Sequence, residues 1–401
     1  MTYIFSLYKQ AFSNLQRNAW ILAITLFINR SGSMVLLFTS LYLTKELHFS
    51  IAEAGIVMSF YGLGSVLGSY AGGYLTDRKR ASDIMLVSLL GSGSILFFML
   101  LAKSPLAITV VIFCYAFMSD MFRPANSAAI AACTTAENRT RSVSLVRLAV
   151  NLGFSVGPAI GGFVALHLGY KWLFVIDAMT SFGAAVILYA YFPKQQLEKS
   201  RHENAVLKDV TTSAYRDFKY LAFILLVALY GTCFFQIFAS VPQYFSRECN
   251  YNEDTIGLLL ALNGFIVVVV EMPLIAVLQK NKNIFRLIIL GTLCLPVAFG
   301  ILELSHGIMI WSIAYTLIIT FSEIFAMPFM MNFALSRPLR ERQGQYSALY
   351  SIAFGISVMA APSLGLGIAE KFGFTTMFWF FIALSILVAF GFGLLDRKVK
   401  M

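Results

Sequence analysis

The chain has 401 residues, of which 59% are hydrophobic and 12% are charged, and its mean hydropathy is +0.77. A soluble protein carries about a quarter of its residues as charged side chains, so this composition excludes a set of water-soluble domains and indicates an integral membrane protein. The net charge of +10 does not indicate a nucleic-acid partner, because most lysines and arginines lie between long apolar stretches. The five cysteines form no Cys-x-x-Cys pair, so neither a zinc site nor a disulfide framework is predicted.

Apolar stretches long enough for a helix to cross about 30 Å of hydrocarbon recur along the whole chain. Twelve spans are predicted, with boundaries 18–41, 53–76, 83–101, 105–133, 140–166, 170–192, 219–245, 254–279, 284–303, 307–335, 343–369 and 373–395. Glycine and proline inside several of them are tolerated where neighbouring helices satisfy the backbone. We therefore expect an all-α membrane protein whose helices form a bundle.

The basic residues predict the orientation. With a cytoplasmic N-terminus, 22 of the 30 lysines and arginines fall in inner segments. The five that fall outside are Lys45, Lys103, Lys171, Arg247 and Lys371. Because cytoplasmic loops retain basic residues, both termini are predicted to be cytoplasmic. Residues 1–19 lack the apolar region of a cleavable signal peptide, so we expect the N-terminus to stay in place.

A polar segment of mixed charge, 193–218, separates six predicted spans from six. We predict an N-terminal six-helix bundle (1–192), a cytoplasmic linker (193–218) and a C-terminal six-helix bundle (219–401). An offset of 204 residues superposes Pro124 on Pro328, Glu137 on Glu341, Pro158 on Pro362, Gly161 on Gly365, Gly169 on Gly373 and Phe174 on Phe378. An offset of 202 superposes Tyr42 on Tyr244, Lys45-Glu46 on Arg247-Glu248, Gly55 on Gly257 and Gly62 on Gly264. The repeat predicts two halves related by a parallel pseudo-two-fold axis, as in secondary transporters with a midplane substrate site between the halves.

Two glycine motifs are candidates for conformational roles. The first, Gly73-x-x-x-Asp77-Arg78, lies between the second and third spans, where an acid at a helix end can pair with a cation. The second lies in the fifth span and comprises Gly153, Gly157, Pro158, Gly161 and Gly162. Small residues four apart let helices approach closely, and proline bends the span. An ordinary basic loop and ordinary helix packing are the alternative interpretations.

With these motifs the chain resembles a major facilitator superfamily transporter and is most similar to the twelve-span drug:proton antiporter branch. The first motif resembles the family's loop between spans two and three, and the second resembles the fifth-span motif of exporters. The resemblance implies the major facilitator fold, alternating access and a monomer, without a cofactor. One departure is Arg80-Ala81-Ser82, where the family has glycine followed by basic residues; it weakens this loop as a gating element. The cognate loop of the second half, which begins near Glu271, is degenerate.

Charged residues inside spans are the sharpest functional clues, because each costs a few kcal/mol at the bilayer centre unless it faces a cavity or a partner. The seven candidates are Arg30, Asp120, Arg123, Arg147, Asp177, Glu271 and Glu323. Asp120 and Arg123 are three residues apart, so they share a helix face and can form a structural ion pair. Arg147 and Asp177 lie near span ends and can snorkel. Glu271 is expected to brace the inner gate.

Glu323 lies deep within the tenth span, and no basic residue lies one helical turn away. A partly desolvated carboxylate can bind and release a proton near neutral pH. Glu323 is therefore the first candidate for proton coupling and Asp120 the second, and a structural hydrogen-bonding role is the alternative for Glu323. Arg30 is either a partner of Glu323 or a counter-charge for an anionic substrate.

The aromatic content of 15%, with 37 phenylalanines, suits a cavity that holds amphipathic molecules by apolar contact, although most phenylalanines in a helical bundle simply pack. Six of the cavity candidates lie on the first and second spans of each half, and the other two, Arg30 and Arg123, are charges inside spans. The candidates are Phe27, Arg30, Tyr61, Arg123, Phe234, Phe235, Gln236 and Asn263.

The leading hypothesis is a proton-coupled secondary transporter that exports small amphipathic molecules or drugs by alternating access in a bacterial inner membrane. Its partners would be the substrate, protons and the lipid bilayer. One alternative is a proton symporter that imports a peptide, a sugar or a metabolite; another is a lysolipid transporter or flippase. No phosphate-binding G-x-x-x-x-G-K-[ST] motif is present, which disfavours an ATP-driven pump. We expect no enzymatic activity, because no nucleophile motif or metal-spaced cluster is found.

Overall fold

The computed structural model describes residues 15–76, 78–133, 136–192, 214–278, 283–305, 307–336 and 343–400, and all regular secondary structure in these ranges is helical. The α-helices are α1 Arg17–Gly32, α2 Val35–Leu41, α3 Ile51–Thr76, α4 Ala81–Met99, α5 Pro105–Asp120, α6 Phe122–Cys133, α7 Ala136–His167, α8 Lys171–Tyr191, α9 Phe218–Phe234, α10 Val241–Arg247, α11 Glu253–Leu278, α12 Ile284–Ser305, α13 Met309–Ser336 and α14 Gln343–Lys400. A π-helix, Tyr42–Glu46, follows α2, and short 3-10 turns precede and follow α9.

The number of membrane crossings agrees with the twelve predicted. Among the described residues, 11 helices are long and apolar enough to cross a membrane. The last of them, Leu349–Arg397, has 49 residues, which corresponds to about 74 Å of helix against about 30 Å of hydrocarbon. Gly373 inside it has φ 84° and ψ 164°, which is not helical. Two helices therefore meet at Gly373, and α14 contributes two crossings.

The chain forms two compact units. The first comprises Met1–Leu36 and Gly64–His202, and the second comprises Leu37–Leu63 and Glu203–Met401. Residues 37–63 therefore pack with the C-terminal helices, whereas the predicted boundary at residue 192 places them in the N-terminal bundle. The predicted linker, 193–218, lies outside the described residues as far as residue 213.

In the first unit, α1 packs against α7 and α8, and α4 packs against α5, α6 and α8. The buried side chains between them form an apolar core that includes Leu22, Met85, Phe122 and Leu188. In the second unit, α12 packs against α13 and α14, and α9 packs against α14. Phenylalanine dominates that core, as in the stacked rings of Phe299 and Phe381, whose centroids are 5.7 Å apart.

Backbone geometry repeats at the offsets found in the sequence. Within the described residues, the two non-glycine residues with positive φ are His48, at 57°, and Asn250, at 54°, which are 202 residues apart. Gly169 and Gly373, 204 residues apart, have φ values of 93° and 84°.

The hydrogen bonds around these turns repeat as well. Phe49 N–H donates to the Leu43 carbonyl at 2.9 Å, and Tyr251 N–H donates to the Phe245 carbonyl at 2.9 Å. Both pairs are related by the same offset of 202 residues. Two segments with the same turn geometry at matched positions support an internal repeat.

Candidate functional site

Three helices of the second unit converge on a carboxylate inside a span. Glu323 of α13 is half-buried, and Asn263 Nδ2 of α11 donates to its Oε2 atom at 3.3 Å. The same amide nitrogen donates to Thr320 Oγ1 at 2.9 Å, about one turn before Glu323. Tyr230 of α9 interacts electrostatically with Glu323, and its hydroxyl lies 3.1 Å from the Ser322 carbonyl oxygen. The structure thus brings together two of the predicted site residues, Glu323 and Asn263.

Aromatic rings extend from Tyr230 along α9 and α14. This aromatic group consists of Tyr230, Phe234, Phe235, Tyr350 and Phe354. The ring centroids of neighbouring members are 6.3 Å apart for Tyr230 and Phe234, 5.6 Å for Phe234 and Phe235, 6.1 Å for Phe235 and Phe354, and 5.1 Å for Phe354 and Tyr350. Phe235 and Phe354 are half-buried, whereas Phe234 and Tyr230 are buried. A carboxylate beside such a group can hold a cation by charge and by contact with the ring faces.

Asp120 and Arg123 form an ion pair in the first unit. Arg123 Nη2 lies 2.9 Å from Asp120 Oδ1. The Arg123 side chain is 67% exposed and the Asp120 side chain is 5% exposed. Asp120 is the last residue of α5, and α6 begins at Phe122, so the pair spans the junction of these helices. Arg123 thereby offsets the cost of burying the Asp120 carboxylate.

Arg30 lies on α1 where the fifth-span motif packs against it. A Cβ atom at Gly153 would lie 2.5 Å from Arg30 Cβ, and one at Gly157 would lie 3.2 Å from the carbonyl oxygens of Arg30 and Ser31. The Arg30 guanidinium stands 5.8 Å from the centroid of the Phe154 ring. Gly153 and Gly157 therefore let α7 approach α1 closely at Arg30.

The rest of the fifth-span motif is buried in α7. Pro158, Gly161 and Gly162 are all buried, and Pro158 lies inside the helix without ending it. A proline in this position removes one backbone hydrogen bond of the helix.

Gln236 is a predicted cavity residue whose amide serves packing. It is fully buried, and its Nε2 atom donates to the Thr232 carbonyl at 3.0 Å and the Ala361 carbonyl at 2.9 Å. Ser240 Oγ donates to its Oε1 atom at 2.6 Å. These bonds join the turn after α9, which contains Gln236, to α9 and to α14, and the place of Gln236 in a substrate cavity stays a prediction. Phe27 is half-buried against the core of the first unit, and Tyr61 is buried in α3.

Three residues of the first motif have different outcomes. Asp77 lies outside the described residues. The Arg78 guanidinium lies over the Tyr74 ring, 3.5 Å from its centroid, which is a cation–π contact. Gly73 has space beside it, since the nearest atom to an added Cβ is Pro124 Cβ at 4.0 Å.

The other intramembrane charges divide between surface and interior. Arg147 is exposed and Glu271 is buried. Asp177, which was expected to snorkel, is instead 1% exposed. The Tyr115 hydroxyl donates to its Oδ2 atom at 3.1 Å. The position of Asp177 near a span end does not indicate that its carboxylate is buried. The one indication in the sequence is Tyr115, a tyrosine on another span that can donate a hydrogen bond to it.

Sequence reasoning also missed an ion pair within the second unit. Lys45 Nζ lies 2.7 Å from Glu253 Oε1, which joins the end of the first span to the start of α11. Nearby, Gln243 Nε2 donates to the Ser40 carbonyl at 2.7 Å and to Thr44 Oγ1 at 2.9 Å. These contacts fasten residues 37–63 to the C-terminal helices. Among the described residues, no three histidine, cysteine or acidic side chains are grouped to hold a metal.

Helices long and apolar enough to cross a membrane, with polar side chains buried inside both units, are typical of a membrane transporter. The family model of the Major Facilitator Superfamily matches residues 21–362, and the chain belongs to this superfamily. The predicted resemblance and the transporter class are thereby confirmed, as is the expectation that the protein is not an enzyme.

Similar proteins support the same assignment. The uncharacterized MFS-type transporter YqjV of Bacillus subtilis is 24% identical over 298 residues, which cover 72% of each chain. Multidrug resistance protein 2 of Bacillus subtilis is 24% identical over 339 residues, covering 80% of this chain and 81% of that protein. A POT family transporter solved in complex with 5-aminolevulinic acid is 15% identical, with a TM-score of 0.82 over 97% of this chain and 98% of that one. This structural likeness shows the fold alone.

Proposed function

We propose that the protein is a proton-coupled secondary transporter that exports small amphipathic molecules or drugs by alternating access. The observation that carries the proposal is the position of Glu323, which accepts a hydrogen bond from Asn263 and stands beside Tyr230 and the aromatic group. The name of the similar multidrug resistance protein 2 of Bacillus subtilis supports the same substrate class.

The chemistry of this site favours exchange of a proton for a substrate. A carboxylate that holds a proton is neutral and attracts an organic cation less, whereas the deprotonated carboxylate attracts it more. Ring faces in the aromatic group add apolar contact and cation–π attraction. A single acid therefore binds the two ligands alternately, which is the requirement for antiport. Asp120 is the second candidate for the proton, and its ion pair with Arg123 is the feature that its protonation would break.

The remaining parts of the proposal concern organisation. Bundles 1–192 and 219–401, joined by the linker 193–218, are proposed to move against each other during transport, with the contacts between residues 37–63 and the C-terminal helices breaking and re-forming in each cycle. The excess of basic residues in alternate segments favours cytoplasmic termini, and the relatives from Bacillus subtilis favour a bacterial cytoplasmic (inner) membrane. We propose that the monomer is sufficient for transport.

Proton release on ligand binding tests the proposal. Purified full-length protein in weakly buffered detergent would receive cationic drugs, sugars, peptides and lysolipids in turn. The wild type is expected to release about one proton per bound drug molecule, because the cation displaces the proton from a single carboxyl group. Glu323→Gln should abolish the release and Asp120→Asn should retain it. Glu303→Gln, which changes an acid near the end of α12, is the control and should behave as the wild type.

The alternatives give different results in the same experiment. Proton uptake together with binding of a peptide or sugar would favour a symporter. Binding of lysolipids alone would favour a lipid transporter. Drug binding without proton release would refute proton antiport at Glu323.

A further inference from the structure

Asp177 occupies a site in the first unit that the proposed transport chemistry does not use. The residue lies on α8, within a membrane span, and is 1% exposed. A buried acid inside a span is costly unless it is paired or serves a proton pathway. Its two direct partners, however, are neutral donors. The Tyr115 hydroxyl donates at 3.1 Å, and the Val35 backbone N–H also donates to the carboxylate.

The Val35 contact connects Asp177 to an interruption in the first span. α1 ends at Gly32 and α2 begins at Val35, so Ser33 and Met34 are not helical. An interruption at membrane depth is tolerated only where the protein satisfies the freed backbone groups. Asp177 satisfies one of these groups, the amide of Val35. The charge of this acid therefore acts directly on the point where the first span is interrupted.

Arg30 supplies the positive charge near the site. Its guanidinium acts electrostatically on Asp177 and also stands over the Phe154 ring at 5.8 Å. Arg30 thus has two sources of attraction, one ionic and dependent on the charge of Asp177, the other aromatic and independent of it. The backbone of Arg30 is in tight contact with Gly153. A change in the force on Arg30 therefore acts on the packed contact between α1 and α7.

We propose that Asp177 is a proton-binding site of the first unit, whose charge sets the attraction on Arg30 and the hydrogen bond at the interruption of the first span. The step is proton uptake alone: one O–H bond forms on a carboxylate oxygen, and the charge of the site rises by one. The protonated form releases Arg30 toward Phe154, and the ionised form attracts it. This inference extends proton binding to a second acid and does not require that Glu323 binds a proton.

The groups that face the Asp177 carboxylate come from α5 and from the first span. Tyr115 belongs to α5, and Arg30 and the Val35 amide belong to the first span. On its own helix, Thr180 Oγ1 donates to the Asp177 carbonyl rather than to the carboxylate. α4 also packs against α8, but its acid, Asp83, is in its first turn, about 15 Å along the helix from the contact that Gly93 makes with α8.

Infrared difference spectroscopy tests the proposal on purified full-length protein in lipid vesicles, between alkaline and acidic buffer. The protonated carboxyl group gives a C=O stretch in a spectral region of its own. Among the bands that the wild type gains, one is expected to be lost in Asp177→Asn and kept in Glu323→Gln. The matched control is Ser181→Ala, on the same helix as Asp177. It removes the hydroxyl that accepts a hydrogen bond from Asn29 and should keep the band.

The outcomes separate this inference from the proposed function. Loss of a band only in Glu323→Gln would support proton coupling at Glu323 and overturn the assignment of Asp177. Should Asp177→Asn fail to fold, Tyr115→Phe decides instead, because removal of one hydrogen bond must shift the frequency of the Asp177 band. A Tyr115→Phe spectrum identical to that of the wild type would overturn the proposal.

Discussion

Replacement of Gly153 by alanine should destabilise the first unit, because the added methyl group has no room. A Cβ atom at this position would lie 2.5 Å from Arg30 Cβ and 3.0 Å from backbone atoms of Arg30 and Ser31. These neighbours are a side-chain stem and a main chain, so neither can turn away. Overpacking of this kind costs roughly 1–3 kcal/mol. Gly183 on α8 has no atom within 4 Å of an added Cβ and provides the matched control.

The comparison of the two variants removes the effect of helix propensity. Alanine favours a helix over glycine by about 1 kcal/mol, and this gain applies equally to Gly153→Ala and Gly183→Ala. The difference in their free energies of unfolding should therefore equal the overpacking cost, about 1–3 kcal/mol. Gly157→Ala, with its closest contacts at 3.2 Å, should fall between them. Unfolding by titration with denaturing detergent measures the three values. Equal stability of Gly153→Ala and Gly183→Ala would refute the close contact between α1 and α7.

Three further predictions concern the segments between spans. A double-mutant cycle on Lys45 and Glu253, whose side chains are 38% and 9% exposed, should give a coupling of about 1 kcal/mol by detergent unfolding; zero coupling would contradict the pair. Valine in place of His48 or Asn250, both with positive φ, should destabilise by about 1–3 kcal/mol and glycine should not; equal losses would contradict the left-handed backbone. Burial raises the pKa of the Cys249 thiol. Because only the thiolate reacts with maleimide, labelling of Cys249 at neutral pH should be slower in the folded protein than in the unfolded protein. Equal rates would argue against burial.

The overall fold could be predicted because lipid leaves few options to the backbone. Each span must satisfy its own hydrogen bonds as a helix, so apolar length alone gives its position, as for the predicted span 53–76 and the observed helix Ile51–Thr76. The predicted spans 343–369 and 373–395 meet at the observed break, Gly373, which the repeat pairs with Gly169. Both glycines have positive φ, which glycine adopts at little cost.

The interior contacts could not be predicted, since they depend on which face of each helix meets which neighbour. Gly72 and Gly73 are adjacent in the sequence, yet an added Cβ at Gly72 would lie 2.6 Å from the Met121 carbonyl oxygen, while Gly73 has space. Gln236 is a cavity candidate because it lies on the first predicted span of the second half, but its position in the sequence does not show that its amide donates to the Thr232 and Ala361 carbonyls. The spacing of two residues in the sequence shows whether they share a helix face, but it does not show which neighbouring helix that face contacts.

The two units repeat their backbone geometry without repeating their acids. Turn residues 202 residues apart share positive φ, but Phe381 is the counterpart of Asp177 and Ser119 is the counterpart of Glu323 at the offset of 204. Each unit thus holds an acid with a tyrosine near it, the buried Asp177 with Tyr115 and the half-buried Glu323 with Tyr230, at positions that the repeat does not relate. The hydrogen-bond partners of the two acids belong to different units, so substitution of one acid should leave the hydrogen bonds around the other intact. The effects of Asp177→Asn and Glu323→Gln on proton binding should therefore be additive.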